Sequence, residues 1–121
     1  MNPIVHVAIS DDWEASRNMG EYEVSTRGIS LADAGYIRAA TPGGVQDVVD
    51  RVFAGIRLTL MVVVLDSDAL RTAGVPVTET SEPGGFRIEG AIPIEDGIVL
   101  AALEFDPAAG GGVPDLSRFG G

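Results

Sequence analysis

The chain contains no cysteine and one histidine, His6. Without cysteine there is no disulfide framework, no thiolate nucleophile and no Cys-ligated metal. One histidine does not by itself assemble a zinc site, so no metal is expected. Basic residues are scarce, 8 Lys+Arg against 18 Asp+Glu, which leaves a net charge of −10. Nucleic acid and anionic membranes both need a basic surface, and neither is expected as a partner. Long hydrophobic runs are missing too. The apolar stretch at residues 58–65 is only strand-length and cannot span a bilayer. The N-terminus lacks a basic stretch followed by an apolar one, the mark of a secretory signal. A cytoplasmic protein is the expectation. No GxSxG elbow, P-loop or strand-linked GxGxxG is present.

Hydrophobic residues make up 45% of the chain, too many for a disordered one, and 121 residues fit one domain. The best helical pattern is Val45, Val48, Val49, Val52 and Phe53, one face of a helix. Thr41 is placed to cap it, Pro42 to begin it and Gly55 to stop it. Before it, Tyr36, Ile37, Ala39 and Ala40 form a strand with Arg38 in its middle. Residues 4–9 are a β-branched run around His6 and read as a buried strand. Asp11 and Glu14 have capping-box spacing for a helix that ends at Gly20. Residues 22–24 suggest a short strand and 25–30 a loop. Residues 57–65, RLTLMVVVL, read as the central strand of the sheet. Asp66 caps a helical turn through Leu70, and residues 75–78 are short and extended. Pro83-Gly84-Gly85 is a turn. Residues 86–94 alternate as a strand with Pro93 near its end, and Asp96-Gly97 turns it back into a hairpin partner at 98–105. This pattern indicates an α+β fold, with two main helices on a bent, mostly antiparallel sheet. Residues 1–106 form a single α+β domain, and 107–121 form a Gly-rich, flexible tail.

Few side chains in this pattern are equipped for chemistry. His6 is the one group that titrates near neutrality. It is either a catalytic candidate or a core histidine whose nitrogens bond to backbone. Arg38 either points into water from a wet strand face or offers its planar fork to a phosphate, a carboxylate or a developing oxyanion. Arg87 has the same two readings. Glu79 and Glu89 are the carboxylates nearest strand ends, either surface charge or an acid–base pair in an apolar cleft. The Pro42-Gly43-Gly44 helix start offers N–H groups to an anion, a weak signal without a lysine beside it.

An ordered series of residues resembles the bacterial family called domain of unknown function 952. The series is His6, Trp13, Gly20-Glu21-Tyr22, Ser30-Leu31, Gly35-Tyr36-Ile37, Ala40-Thr41, Phe53, the apolar strand ending at Asp66, Leu70, Glu79 and Phe86 to Pro93. The resemblance runs from about residue 4 to 103. It implies an ADP-ribosyltransferase-like fold, a split, bent β-sheet around a cleft. In such enzymes the cleft binds NAD, and a first-strand histidine and a later glutamate are typical. Carried over, these are His6 and Glu79. The family's second histidine is Arg38 here, its proline-histidine pair is Phe86-Arg87, and its tyrosine is Glu89. Each exchange of histidine for arginine removes a proton shuttle and installs a fixed cation.

On this basis the chain is expected to be a small cofactor-independent enzyme acting on an organic small molecule. The chemistry implied is a cyclisation or isomerisation of the kind used in biosynthetic tailoring. His6, Arg38 and Glu79 would be catalytic, and Tyr36, Arg87, Glu89 and Trp13 would bind substrate, with His6 and Arg38 facing one cleft. Two alternatives stay open. One is ADP-ribosyl transfer with NAD as the cofactor; the other is a non-catalytic module that binds a ligand or a protein. A homodimer is also left open.

Overall fold

The computed structural model describes residues 2–26, 29–82, 84–110 and 112–119. The chain begins with β1 (Pro3–Ile9), α1 (Ser10–Arg17), β2 (Glu21–Tyr22), β3 (Val24–Thr26), β4 (Ile29–Ser30) and α2 (Leu31–Ala34). It continues with β5 (Ile37–Ala40), α3 (Val45–Val52), β6 (Leu60–Asp66) and α4 (Ser67–Thr72). It ends with β7 (Val77–Glu79), β8 (Gly85–Ile88), β9 (Ile92–Pro93) and β10 (Val99–Phe105). Six strands form one sheet in the order β10-β6-β1-β5-β8-β7, and every pairing in it is antiparallel. Two further pairs, β2–β9 and β3–β4, stand apart from it. The α+β class and the mostly antiparallel sheet are as expected.

The β-branched runs take the inner positions. β1 and β6 pair along their whole length, from Pro3 opposite Asp66 to Ile9 opposite Leu60. Both are buried on both faces, which suits near-continuous Val, Ile and Leu. Alternation divides their side chains between two cores. Ile4, Ala8, Met61, Val63 and Leu65 join Ile37, Ala39 and Ile88 on one face, under Trp13 of α1 and Leu70 of α4. Val5, Val7, Leu60, Val62 and Val64 lie on the other face, under Val45, Val49 and Phe53. The apolar stripe of α3 therefore packs as its spacing predicts. Asp66 caps α4, accepting from the N–H groups of Asp68 and Ala69.

The fold departs from the sequence expectation at several places. Residues 57–65 were expected to supply the central strand, but β1 and β5 hold the middle of the sheet and β6 lies beside β10, next to an edge. The strand also starts later, and Leu58 is 48% exposed. The hairpin expected between residues 86–94 and 98–105 does not form. β8 pairs with β5 and β7, β9 with β2, and β10 with β6. Pro93 has no N–H to donate, so β9 stops after two residues, and β10 pairs instead beside β6, apolar from Leu60 to Leu65. Asp11 lies inside the first turn of α1, where it favours the helix dipole, and Ile9 holds the cap position. The expected loop at 25–30 carries β3 and β4, and Ser30 caps α2, a helix the sequence pattern did not reveal. The tail is not loose throughout. Leu116 is buried, and Val113 and Phe119 pack against the same core as α3, so the Gly-rich composition conceals apolar residues that dock. Among the described residues no helix is long and apolar enough to cross a membrane.

Candidate functional site

The site follows from the pairing of β5 with β8. Ile37 and Ile88 sit opposite each other, both fully buried in the α1-side core. That register and the strand pleat send Arg38 and Arg87 to the opposite face, directly across from each other. Thr78 of β7 lies next in the row. Like charges at directly opposed positions destabilise a strand pair. Arg38 is half-buried, and neither arginine forms an ion pair with a carboxylate among the described residues. The Arg87 guanidinium lies over the Tyr36 ring, 4.5 Å from its centroid. Tyr36 is two residues before Arg38 and so projects on the same side.

Helix α3 and the turn between β7 and β8 wall this row into a cleft of about 220 Å³. From α3 come Asp47, Val48 and Arg51, and from the turn come Thr80, Ser81 and Glu82. Arg51 Nε donates to Asp47 at 2.8 Å, and its Nη1 lies 3.6 Å from Glu82. The bond to Asp47, then the charges of Asp47 and Glu82, raise the Arg51 pKa further above its usual value. Arg51 is thus the ion-paired cation of the cleft, Arg38 and Arg87 pair with no carboxylate among the described residues, and the charged side chains lining the cleft sum to one positive charge. The turn itself is tightly made. Gly84 has φ +75°, and Thr41 N–H donates to its carbonyl at 3.0 Å. A Cβ on Gly85 would collide with Thr80 Oγ1, so a larger residue there would force the Thr80 side chain to move.

His6 is on the other side of the sheet. Because Val5 pairs with Ala40, the α3 face takes Val5, Ala40 and Arg38, and His6 turns to the α1 face. The expectation that His6 and Arg38 face one cleft is therefore corrected: only the backbone carbonyl of Arg38 touches the histidine. Nδ1–H donates to that carbonyl at 2.6 Å, and the Tyr22 hydroxyl donates to Nε2 at 3.0 Å. The carbonyl can only accept, which places the proton on Nδ1. The ring is 1% exposed. Burial pushes its pKa down to about 4, with the Arg38 hydrogen bond opposing in part. Burial also pushes the Tyr22 hydroxyl pKa up, with Asp12 adding to the shift. His6 is a buried, neutral core residue with both nitrogens hydrogen-bonded, on the sheet face away from the Arg38 side chain, so the shared-cleft placement fails on geometry.

The remaining expected residues are scattered. Trp13 is buried in the core with its ring 5.2 Å from that of Tyr22, and it extends the His6–Tyr22 contact rather than a cleft. Glu79 ends β7 exposed, opposite Phe86, on the α1 side and away from the arginine row. Glu89 lies just past β8, exposed, and does not line the cleft. Of the seven expected residues, the fold brings together Tyr36, Arg38 and Arg87. Asp47, Arg51, Thr80, Ser81 and Glu82 were missed. The i, i+4 spacing of Asp47 and Arg51 on the polar face of α3 was a visible signal; the turn residues gave none. Among the described residues no three His, Asp or Glu gather as a metal site would require.

Two solved structures share this architecture. Protein CC0527 from Caulobacter crescentus is 18% identical, with a TM-score of 0.70 over 96% of each chain. Its double methionine mutant is 17% identical, with the same TM-score and coverage. At this identity the likeness speaks for the fold. No curated protein matches the chain. A family model matches residues 7–87, from the residue after His6 to Arg87 itself. It spans β5, α3, β6 and all but the last residue of β8, and with them the cleft. The chain belongs to the family described as protein of unknown function DUF952.

Proposed function

We propose that this protein binds a small organic anion in the cleft between α3 and the β5–β8 pair. The observation that carries the reading is the opposed pair of half-buried Arg38 and exposed Arg87, neither with a carboxylate ion-pair partner among the described residues. In an overall acidic protein, a cleft with three guanidiniums against two carboxylates, two of the guanidiniums outside any ion pair, forms a local positive site. Each offers a planar fork that fits a carboxylate or phosphate. An anion between them turns a repulsive pair into two charge-assisted contacts.

The cleft supports one kind of catalysis better than others. His6 is sealed away, and Asp47 and Glu82 are committed to Arg51, so general acid–base work has no free agent here. Fixed cations beside a bound carbonyl would stabilise a developing enolate or oxyanion, which is the demand of a cofactor-free isomerisation or cyclisation. NAD is disfavoured as a ligand. The cleft of about 220 Å³ is smaller than the roughly 300–1,000 Å³ typical of sites for drug-sized molecules. The separation of the strands into one large and two small sheets supports an ADP-ribosyltransferase-like reading of the fold, with its ligand site moved from the histidine to the arginines.

The test is calorimetry and thermal melting with benzoate, pyruvate and inorganic phosphate on wild type, Arg38→Ala and Arg87→Ala. Binding of at least one anion to wild type, weakened tenfold or more in both variants, is the expected result. Equal affinity in all three proteins would make both arginines solvated strand residues and end the proposal.

A further inference from the structure

The main sheet ends in two edges of unequal kind. β7 has three residues, and an edge this short discourages strand pairing. β10 has seven, Val99–Phe105, and pairs on one side only, with β6. Among the described residues its other backbone hydrogen bonds stop at Val99, whose N–H donates to the Glu95 carbonyl at 2.8 Å. Past the bulge between Val99 and Ala101, the outward N–H and C=O groups of alternate residues have no backbone partner there. A groove of about 640 Å³ follows this edge. Ala102 and Glu104, opposite Val63 and Met61, line it from the α1 side, and Leu103 lines it from the α3 side. The open space therefore lies over the strand edge itself. Glu14, Glu95, Asp96 and Glu104 stand in the groove against Arg17, four carboxylates to one guanidinium, a sum of three negative charges. Arg17 pairs with Glu14 at 3.1 Å, and Glu104 accepts from the Ser10 hydroxyl at 2.6 Å. Glu95, Asp96 and Glu104 have no cationic partner among the described residues.

We propose that β10 is a docking edge for an extended, basic segment of a partner protein, which adds to the sheet as a strand. The open edge supplies the main-chain hydrogen bonds that give strand addition its affinity. The carboxylates select the occupant. Side chains of an added strand alternate between the two faces, so lysine or arginine at every second position shares the face of Glu104. Opposite charges facing each other across a strand pair stabilise it. Small apolar residues between the cations fall on the Leu103 side. A second copy of this chain fits less well: each carries a net charge of −10, and pairing β10 with β10 would bring two acidic grooves together. The edge is separate from the anion cleft, since β6 and β1 lie between β10 and β5.

The experiment is fluorescence anisotropy with a labelled peptide that alternates lysine and valine over seven residues, the length of β10, titrated with the full chain at low salt. Two control peptides share its length. One is N-methylated at two adjacent central residues, which keeps the charge and blocks both of its edges. The other carries glutamate in place of lysine. The lysine peptide should bind at least tenfold more tightly than either control. The double variant Glu95→Gln, Glu104→Gln should weaken it about fivefold or more, with circular dichroism confirming the fold. Amide exchange at residues 101–105 should slow when the peptide is bound. Equal binding of the N-methylated peptide would reduce the effect to general attraction by an acidic protein and overturn strand addition, as would no binding of the lysine peptide. A dimer of the free protein in light scattering, with exchange at residues 101–105 already slow, would give the edge to a second copy and overturn the proposal.

Discussion

The buried histidine makes the sharpest prediction, and its sign can be worked out in advance. His6 has an ordinary pKa of 6.5 when unfolded and about 4 in the folded protein, the shift coming first from burial. Below pH 6.5 the unfolded chain takes up a proton that the folded protein refuses. The unfolded state then binds more protons, so stability falls as the pH falls. The contribution is fully present above pH 6.5 and is lost progressively down to about pH 4. From these two values the loss is about 2 kcal/mol at pH 5 and about 3 kcal/mol at pH 4. The assay is urea denaturation at half-unit steps from pH 7.5 to 4, on wild type and His6→Gln. Glutamine keeps a donor and an acceptor without titrating, so carboxylate protonation is common to both and cancels in the difference. A chain with one histidine also gives one imidazole Cε1–H resonance, whose midpoint can be read directly by NMR. A midpoint near 6.5, or identical acid slopes in the two proteins, would refute the sealed histidine and return His6 to the candidates for ligand contact.

Other outcomes follow from single contacts. Tyr22→Phe removes the donor to His6 Nε2 and should cost about 1–2 kcal/mol in urea, because a buried acceptor is left unpaired. Truncation after Asp106 removes the buried Leu116 and its neighbours Val113 and Phe119 and should cost about 3 kcal/mol or more; an unchanged melting temperature would show that the tail contributes nothing to the core. Arg38→Ala should leave stability unchanged or raise it by up to about 1 kcal/mol, since it relieves a like-charge pair, while abolishing anion-induced stabilisation. Gly85→Ala should destabilise the β7–β8 turn by about 1–3 kcal/mol through contact with Thr80 Oγ1; adding Thr80→Ala should recover much of it, and no recovery would place the strain elsewhere.

The parts of the fold that were legible are those whose signal is local and long. The β-branched runs of β1 and β6 and the apolar stripe of α3 each state their own period over seven or eight residues. Where stability comes from a distant partner, the pattern fails. β2 and β9 are two residues each and exist because Tyr22 meets Ile92 across the chain. Neither segment has a period of its own. Asp96-Gly97 does turn the chain, yet the strand that follows pairs with β6 and not with its sequence neighbour. A two-residue turn signal indicates reversal, but the larger burial available beside β6 decides the pairing. The tail misled in the opposite sense, since glycine content masked the spacing of Val113, Leu116 and Phe119.

The site was half legible for a more specific reason. Alternation states which residues of one strand share a face: Tyr36 with Arg38, and His6 with Ile4 and Ala8. It does not state which face of β1 matches which face of β5. That is decided by the register Val5 to Ala40, and a slip of one residue would have put His6 beside the Arg38 side chain. The arginine pair is equally invisible in one dimension, because only the β5–β8 register sets Arg38 against Arg87. Under the anion proposal, the two opposed cations would tie stability to occupancy. Empty, like charges across a strand pair work against the sheet; an anion bound between them would make the same two side chains work for it, and by linkage a ligand that binds only the folded state stabilises the fold.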